Sequence, residues 1–415
     1  MKKFFVLWTS QAVSLLGSSL VQFALAWYLT MTTGKATVLA VATLIGLLPQ
    51  VLLGPFIGPY VDRWDRKRIM ITADIAVAAV TAVLVVLYWT NAIQVWHIYA
   101  VMFLRSLAGT FQFPAMQASV PLIVEEKDLA RAAGFNQTLG GLMSVISPIL
   151  GAFFLAIMPM PALLSIDIGT AAIAVACLAF LAIPRPARTN AAAKTSAMRD
   201  MIEGFRFVWS WKGAVLLLGL ATILNFFFNP AFSLLPILVT KHFGGGAMQL
   251  GWLESAVGIG MVAGGIGIGV WGGFKRRIVT TLLGVLLASL TVLVVGFVPP
   301  SALFLTIGVI FLTGVALSMA NAPLMAVLQS VVPRDMQGRV FSLIGALTAA
   351  MSPLGLAIAG PVADAAGVQT WFLIAGGSGL LVIAAGFFIP ALMQIESQKP
   401  PVAGKAEEVA TGAGR

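Results

Sequence analysis

The chain has 415 residues, of which 59% are hydrophobic and only 10% charged, with a mean hydropathy of +0.98. That composition excludes a soluble globular domain and implies an integral membrane protein. The net charge of +10 concentrates on no single face or helix, so it is not a nucleic-acid footprint and no nucleic-acid partner is expected.

A bilayer core about 30 Å thick takes roughly 20 apolar residues in a helix, and that signal recurs along almost the whole chain, whereas barrel strands show only a weak alternation. The expected fold class is all-α integral membrane. The first run follows Lys2 and Lys3 and stays apolar to about Tyr28, too long for a signal-peptide core, so it reads as a retained first span. Twelve spans are expected in chain order, at 4–30, 37–60, 69–89, 96–120, 134–159, 162–183, 213–240, 248–271, 279–298, 302–327, 338–363 and 367–392. With the N-terminus in the cytoplasm, all 25 Lys and Arg fall on the inner side except Lys35 and Lys241, which lie outside, and Arg105, which lies within a span. The expectation is a multi-pass protein of the inner (plasma) membrane with both termini cytoplasmic, in contact with the lipid bilayer. Cys177 sits alone in an apolar run and reads as packing.

Residues 184–212 break the tempo, being polar and several times longer than the other connections. They divide the chain into an N-terminal six-helix bundle (1–184), a cytoplasmic linker (185–212), a C-terminal six-helix bundle (213–392) and a disordered cytoplasmic tail (393–415). In the linker Met198, Met201, Ile202, Phe205 and Val208 or Trp209 recur at three and four, the spacing of an amphipathic helix on the inner surface. The two halves also echo each other. "ASVPLIVEEKDLARAAGFNQ" (118–137) leading into "SPILGA" (147–152) resembles "QSVVPRDMQGRVFS" (329–342) leading into "SPLGLAIAG" (352–360). Such duplication suits carriers that rock two bundles, related by pseudo-two-fold symmetry, about a central site.

The stretch "GPYVDRWDRKRIM" (58–70) packs Asp62, Arg63, Asp65, Arg66, Lys67 and Arg68 into seven positions. Gly58, Asp62, Arg63, Arg66, Lys67 and Arg68 fall on the expected inner loop between spans 2 and 3, with the spacing of the G-x-x-x-D-R-x-G-R-[KR] motif that the chain shares with the major facilitator superfamily. The resemblance covers all twelve spans. A degenerate copy, "GVWGGFKRR" (269–277), keeps Gly269, Gly273 and the basic run without the Asp. Asp65 stands where the family has Gly, and Asp tolerates a left-handed backbone better than most residues. "DRWDRKR", "RSLAGTFQFPAMQASVPLIV" (105–124), "NPAFSLLP" (229–236) and "WLESAVGIGMVAGG" (252–265) resemble macrolide-efflux-type drug:proton antiporters. The resemblance implies that the cluster is a gate, with Asp62 meeting the positive end of a helix in the opposite half, near Gly338 and Arg339. A carboxylate at a helix N-terminus gains typically 0.3–1 kcal/mol. The positive-inside rule alone accounts for Arg66, Lys67 and Arg68 but not for the acid.

Transport needs an energy source. The sequence has no G-x-x-x-x-G-K-[ST] loop, no H-E-x-x-H and no Cys-x-x-Cys, and its only histidines, His97 and His242, fall at outer edges. An enzyme is not expected, nor is a cofactor or a metal. Ion coupling remains, with protons as the partner ion, and it needs a titratable group inside the membrane. Arg105, about nine residues into span 4, heads "RSLAGTF", which resembles the family's R-x-x-x-G motif associated with proton movement. Glu254 lies about six residues below the outer end of span 8, where burial makes its charge costly. Asp167 on span 6 is a third proton-coupling candidate, Asp74 on span 3 reads as structural, and Asp364 as an outer cap or pair.

In this family spans 1, 4, 7 and 10 line the cavity. They offer Gln11, Ser14 or Leu15, Ser18 and Gln22 on span 1, Phe111, Gln112 and Gln117 on span 4, Asn225, Phe226, Phe228, Asn229 and Phe232 beside Pro230 on span 7, and Asn321 on span 10. Amides beside aromatics suit a bulky amphipathic small molecule. "GGLMSVISPILGA" (140–152) resembles the antiporter motif of exporters, keeping Gly140 or Gly141, Pro148 and Gly151, with Ser147 and Ala152 where glycines are usual. The expected function is proton-coupled export of amphipathic, macrolide-like drugs by a monomer working by alternating access. An exporter of a siderophore or a lysolipid is the nearest alternative. A channel, which needs no charge latch between two gated halves, or a receptor, which usually carries a soluble output domain, is the alternative of another class.

Overall fold

A computed structural model describes residues 1–184, 205–333 and 336–396, excepting the side chains of Pro55, Pro59, Asp62, Arg63, Lys212 and Ser342. Among the described residues there is no strand. Twelve long helices follow in chain order: α1 (Lys2–Thr33), α2 (Ala36–Arg63), α3 (Arg66–Trp89), α4 (Val95–Ile123), α5 (Leu129–Ile157), α6 (Met160–Phe180), α7 (Lys212–Ser233), α8 (Ala247–Trp271), α9 (Arg277–Phe297), α10 (Leu303–Val331), α11 (Gln337–Ala366) and α12 (Val368–Phe388). Eleven are long and apolar enough to cross a membrane. The remaining one, α4, has 29 residues and a length of about 43 Å at 1.5 Å per residue, but His97, Arg105, Gln112 and Gln117 dilute its apolar character.

α1, α2, α4 and α11 run beyond the expected apolar spans while α7 and α12 stop short of theirs, at Ser233 and Phe388, and local chemistry explains several of the ends. α1 ends at Gly34, whose φ of 60° is a left-handed cap with its N–H bonded to Thr30 O. Between α2 and α3 only Trp64 and Asp65 are outside a helix, because α2 continues to Arg63 and α3 starts at Arg66. The expected charged loop is thus two helix ends. Asp65 has φ −69°, so no left-handed backbone is required of it, and it serves as the N-cap of α3 by accepting a 3.2 Å bond from Arg68 N. His97 also has a structural task. Its Nδ1 accepts from Gln94 N at 3.0 Å, closing a capping box at the start of α4.

The chain divides into two compact units, one of Met1–Ala192 with Ser233–Gly258 and one of Ala193–Phe232 with Ile259–Arg415. In the first, α1 packs on α5 and α6, α3 on α4 and α6, and α2 on α4. Leu20, Leu25, Leu29, Leu84, Ile98 and Leu163 fill one part of its interior, and Leu7, Ile57, Met70, Ala115 and Leu178 another. In the second, α9 packs on α10 and α12 around Ile278, Leu282, Val327, Val340 and Ile383. Most of the expected linker helix, including Met198, Met201 and Ile202, lies outside the described residues. Its end, 205–210, is helical and two-faced: Phe205 and Trp209 are exposed and stacked 5.3 Å apart, while Phe207 and Val208 are buried in the second unit. The tail beyond 396 also lies outside the described residues.

Candidate functional site

Polar residues recur seven positions apart on three helices of the first unit: Gln11 and Ser18 on α1, Asp74 and Thr81 on α3, Arg105 and Gln112 on α4. Seven residues are two helical turns, so each pair lies on one face, about 10 Å apart along its axis. The helices assemble these pairs into two polar layers inside an otherwise apolar unit.

The first layer is an ion pair. Arg105 donates to Asp167 Oδ2, to Thr81 Oγ1 and, at 3.4 Å, to Ser18 O. Asp167 also accepts from Ser18 Oγ at 3.1 Å and Thr81 Oγ1 at 3.0 Å. The side chains of Arg105 and Asp167 are 10% and 1% exposed, so both charges are sequestered and each depends on the other. The close crossing of α1 and α6 brings Ser18 to Asp167. A Cβ on Gly17 would lie 2.1 Å from Thr170 Oγ1 and 3.1 Å from Asp167 Cα, so a side chain there would have to displace the Thr170 hydroxyl.

The second layer surrounds Asp74. Its Oδ1 accepts from Ser14 Oγ and from Gln112 Nε2, each at 2.8 Å, and its Oδ2 accepts from Gln11 Nε2 at 3.3 Å. Gln112 Nε2 also reaches Gln11 Oε1 at 3.0 Å. Gln11 and Gln112, expected as cavity residues, are therefore engaged with an acid, and Gln22 is exposed elsewhere on α1. Sequence reasoning placed Asp74 apart from them. The seven-residue recurrence on three helices was the signal that joins them.

The other candidates are distributed as follows. Glu254 on α8 is half-buried and makes no hydrogen bond or ion pair with a described residue. Its helix lies on α5 along a seam of small residues: a Cβ on Gly251 would be 2.8 Å from Pro148 O, one on Gly258 would be 2.8 Å from Ser144 O, and Ser255 donates to Val145 O at 2.8 Å. Pro148 has no N–H for Ser144 O, which leaves that carbonyl facing α8. Gly151 gives room to Phe23 of α1, whose Cδ1 is 2.8 Å from where a Cβ would be, and Gly141 O accepts from Ser144 Oγ at 2.7 Å. In the second unit Asn229 donates to Asn225 Oδ1 at 2.8 Å, and Asn225 to Ala221 O at 2.9 Å, one ladder along α7. Phe228 is buried, with its ring edge against Gly379, and Asn321 is exposed on α10 and donates to Leu317 O.

The basic cluster has inward work that its loop position did not suggest. Arg66 Nη1 donates to Ala118 O of α4 at 2.6 Å and Lys67 Nζ to Ala179 O of α6 at 2.7 Å, both near helix C-terminal ends, where cations are favoured. Arg68 stays 78% exposed, 3.9 Å from Asp65. Gly58 faces open space. The side chains of Asp62 and Arg63 lie outside the described residues.

The comparisons with known proteins agree with the helical fold. The model of the Major Facilitator Superfamily matches residues 7–355 and 216–412. Macrolide efflux protein A of Streptococcus pyogenes is 33% identical over 393 residues, covering 95% of this chain and 96% of that protein. The multidrug efflux pump Tap of Mycolicibacterium fortuitum is 25% identical over 395 residues, covering 93% and 95%. Among solved structures, a bacterial homolog of the human lysosomal transporter Spinster, inward-facing and unoccupied, has a TM-score of 0.75 at 13% identity over 97% of this chain and 98% of that one. The nucleoside transporter NupG gives 0.72 at 13% identity over 96% and 100%. A family match along nearly all of an all-α, membrane-spanning chain makes it a multi-pass transporter and not an enzyme: the protein belongs to the Major Facilitator Superfamily.

Proposed function

We propose that this transporter exports amphipathic drugs, macrolide-like ones first, from the cytoplasm in exchange for protons. The supporting observation is the likeness to a macrolide efflux protein at 33% identity over 95% of the chain. The geometry adds intramembrane acids of two kinds, one neutralised by a resident arginine and others with no cation among the described residues. In this reading the bundles 1–184 and 213–392, joined by the linker 185–212, alternate access to a cavity lined by α1, α4, α7 and α10. The protein acts as a monomer in the plasma membrane with both termini cytoplasmic. Asp62 latches the inner end against the start of α11 at Gly338, and the reversal of that latch requires a weak, charge-based closure. Arg66 and Lys67 hold the start of α3 to α4 and α6, which would give such a latch a fixed neighbour in the chain.

The test is a drug-susceptibility panel on cells producing the wild type or Asp62→Asn. The wild type is expected to raise macrolide tolerance and the variant to lose it at equal membrane abundance. Collapsing the pH gradient should raise retention of a fluorescent substrate, whereas depleting ATP at constant gradient should not. Retention that follows ATP alone would remove proton coupling. Glu254→Gln should abolish uphill export while sparing downhill exchange, because the amide keeps the shape of the side chain and cannot carry a proton. Arg105 never deprotonates, so it only sets the field that the acids feel, and Arg105→Lys should retain partial activity.

A further inference from the structure

The two layers of the first unit contain one acid each, and among the described residues only one of them has a counter-charge. Asp167 is held by Arg105. Asp74 is 1% exposed, and its bonds come from a hydroxyl and two amides, all neutral donors. The elements around α3 present few charged or titratable groups. α4 contributes Arg105, already bonded to Asp167; α6 contributes Asp167 itself, a like charge that Asp74 feels; α1 contributes only amides and hydroxyls at this level; α2 contributes Tyr60, and Asp62 and Arg63, whose side chains lie outside the described residues. A carboxylate meant to stay ionised in an apolar helical unit needs a permanent cation, as Asp167 has. Among the described residues Asp74 has none, which leaves a mobile cation to neutralise it.

The donor set identifies that cation. Metal ions of the hard type need several oxygens turned toward one point. Here both glutamines aim Nε2 at or beside the carboxylate, Ser14 aims its O–H at it, and Gln11 Oε1 is occupied by Gln112. N–H and O–H groups turned inward stabilise a carboxylate and repel a metal ion. A proton needs only one oxygen, and Oδ2, with its single 3.3 Å bond, is the less engaged of the two.

We infer that Asp74 is a second proton-binding site of the transporter, in addition to Glu254 and separate from the Arg105–Asp167 pair. The inference rests on the proton-coupled reading. When a proton from water bonds to Oδ2, that oxygen changes from acceptor to donor. The amide of Gln11 must then rotate to offer Oε1, which breaks the 3.0 Å bond from Gln112. Protonation thereby releases α1 from α4 at the level of Gln11, and loss of the proton to water on the other side restores the bond. Ser14 and Gln112 keep Oδ1 in place throughout.

The experiment uses the full chain in proteoliposomes with an imposed pH gradient at zero membrane potential. Each proton exchanged per substrate multiplies the sustained accumulation by about ten for a gradient of one pH unit. Asp74→Asn is expected to lower the ratio by one such factor, to flatten the pH profile of transport, and to leave gradient-free substrate exchange intact; Asp74→Glu is expected to restore both. If Asp74→Asn does not reach the membrane, Gln11→Met replaces it: the acid stays, its protonated form loses an acceptor, and the pH profile must move. A wild-type accumulation ratio and pH profile in Asp74→Asn, or an unmoved profile in Gln11→Met, overturns the inference while leaving proton coupling standing. Dependence on sodium at constant pH gradient, abolished by Asp74→Asn, would overturn it in favour of a metal ion. Insensitivity of the wild type itself to the pH gradient would remove the broader reading as well.

Discussion

The interiors of the two units are polar in different ways. Among the described residues, the first buries Asp74 and Asp167 with the nearly buried Arg105, whereas the buried polar side chains of the second are all hydroxyls: Thr280, Thr281, Ser289, Thr291, Thr306, Thr313 and Ser352. A hydroxyl in a helix can satisfy itself on a carbonyl one turn back, as Ser289 does on Val285 O and Thr306 on Ala302 O. A carboxylate only accepts, so its donors must come from other side chains, and here they come mainly from other helices. The first unit is therefore tied across α1, α3, α4 and α6 by bonds that depend on protonation. The second is tied by close backbone contact, with Cβ positions of Gly260 and Gly355 falling 2.1 Å and 2.0 Å from Phe311 O and Phe226 O. In the proton-coupled reading, one unit responds to a proton and the other is rigid.

The sharpest break of that contrast is removal of one half of the ion pair. Arg105→Ala strands Asp167, and loss of one partner of a buried pair typically costs about 3–5 kcal/mol. Thermal unfolding in detergent should show a large fall for Arg105→Ala and for Asp167→Ala. The double change Arg105→Met with Asp167→Leu should recover most of it, since neither charge is then unpaired. No polar-to-apolar change at a buried hydroxyl of the second unit should approach the single-residue losses. A mild effect of Arg105→Ala would mean that water reaches Asp167 and that the first unit is less dry than its burial indicates.

Next in size is the corresponding insult to the second unit. Gly260→Val places a branched side chain against the carbonyl of Phe311, a backbone atom with no freedom to yield, and overpacking of this kind costs about 1–3 kcal/mol. The counterpart in the first unit, Gly17→Ala, meets the hydroxyl of Thr170, which can rotate away, so the loss there should be smaller. Equal losses would show that α8 and α10 can separate, contrary to a unit held by backbone contact.

Much of this was legible in advance, for a physical reason that also explains the gaps. Apolar runs near 20 residues have one solution in a bilayer, so the helical fold and most of the spans followed from composition. The helix ends were less legible, because Asp65 as an N-cap and the bonds of Arg66 and Lys67 to carbonyls on α4 and α6 depend on partners far along the chain. Arg105 and Asp167 were each visible as intramembrane charges, but nothing in the spacing of residues 62 apart says that they meet. Asp74 was underestimated because it was read alone. Its meaning lies in the donors that converge on it from α1 and α4.

The smallest predicted effects test the comparison one hydroxyl at a time. Thr81 and Thr313 are both fully buried, both β-branched and both bonded to a carbonyl on their own helix, Val77 O and Val309 O. Valine keeps the shape of either. Thr81 additionally lies between Arg105 and Asp167 Oδ2, so Thr81→Val removes a hydrogen bond from two charged groups that have no water to turn to, a loss of about 1.5–3 kcal/mol. Beyond that carbonyl Thr313 meets the neutral Thr291 Oγ1, and Thr291 retains its own carbonyls at Leu287 and Ala288, so Thr313→Val should cost about 0.5–1.5 kcal/mol. Transport separates the pair further. Thr81→Val should change the pH profile of export because it alters the field around Asp167 and, through it, Asp74, while Thr313→Val should leave that profile in place. Matching unfolding losses with matching pH profiles would show that the hydroxyls do the same work in both units, and the division into a proton-responsive unit and a rigid one would have to be given up.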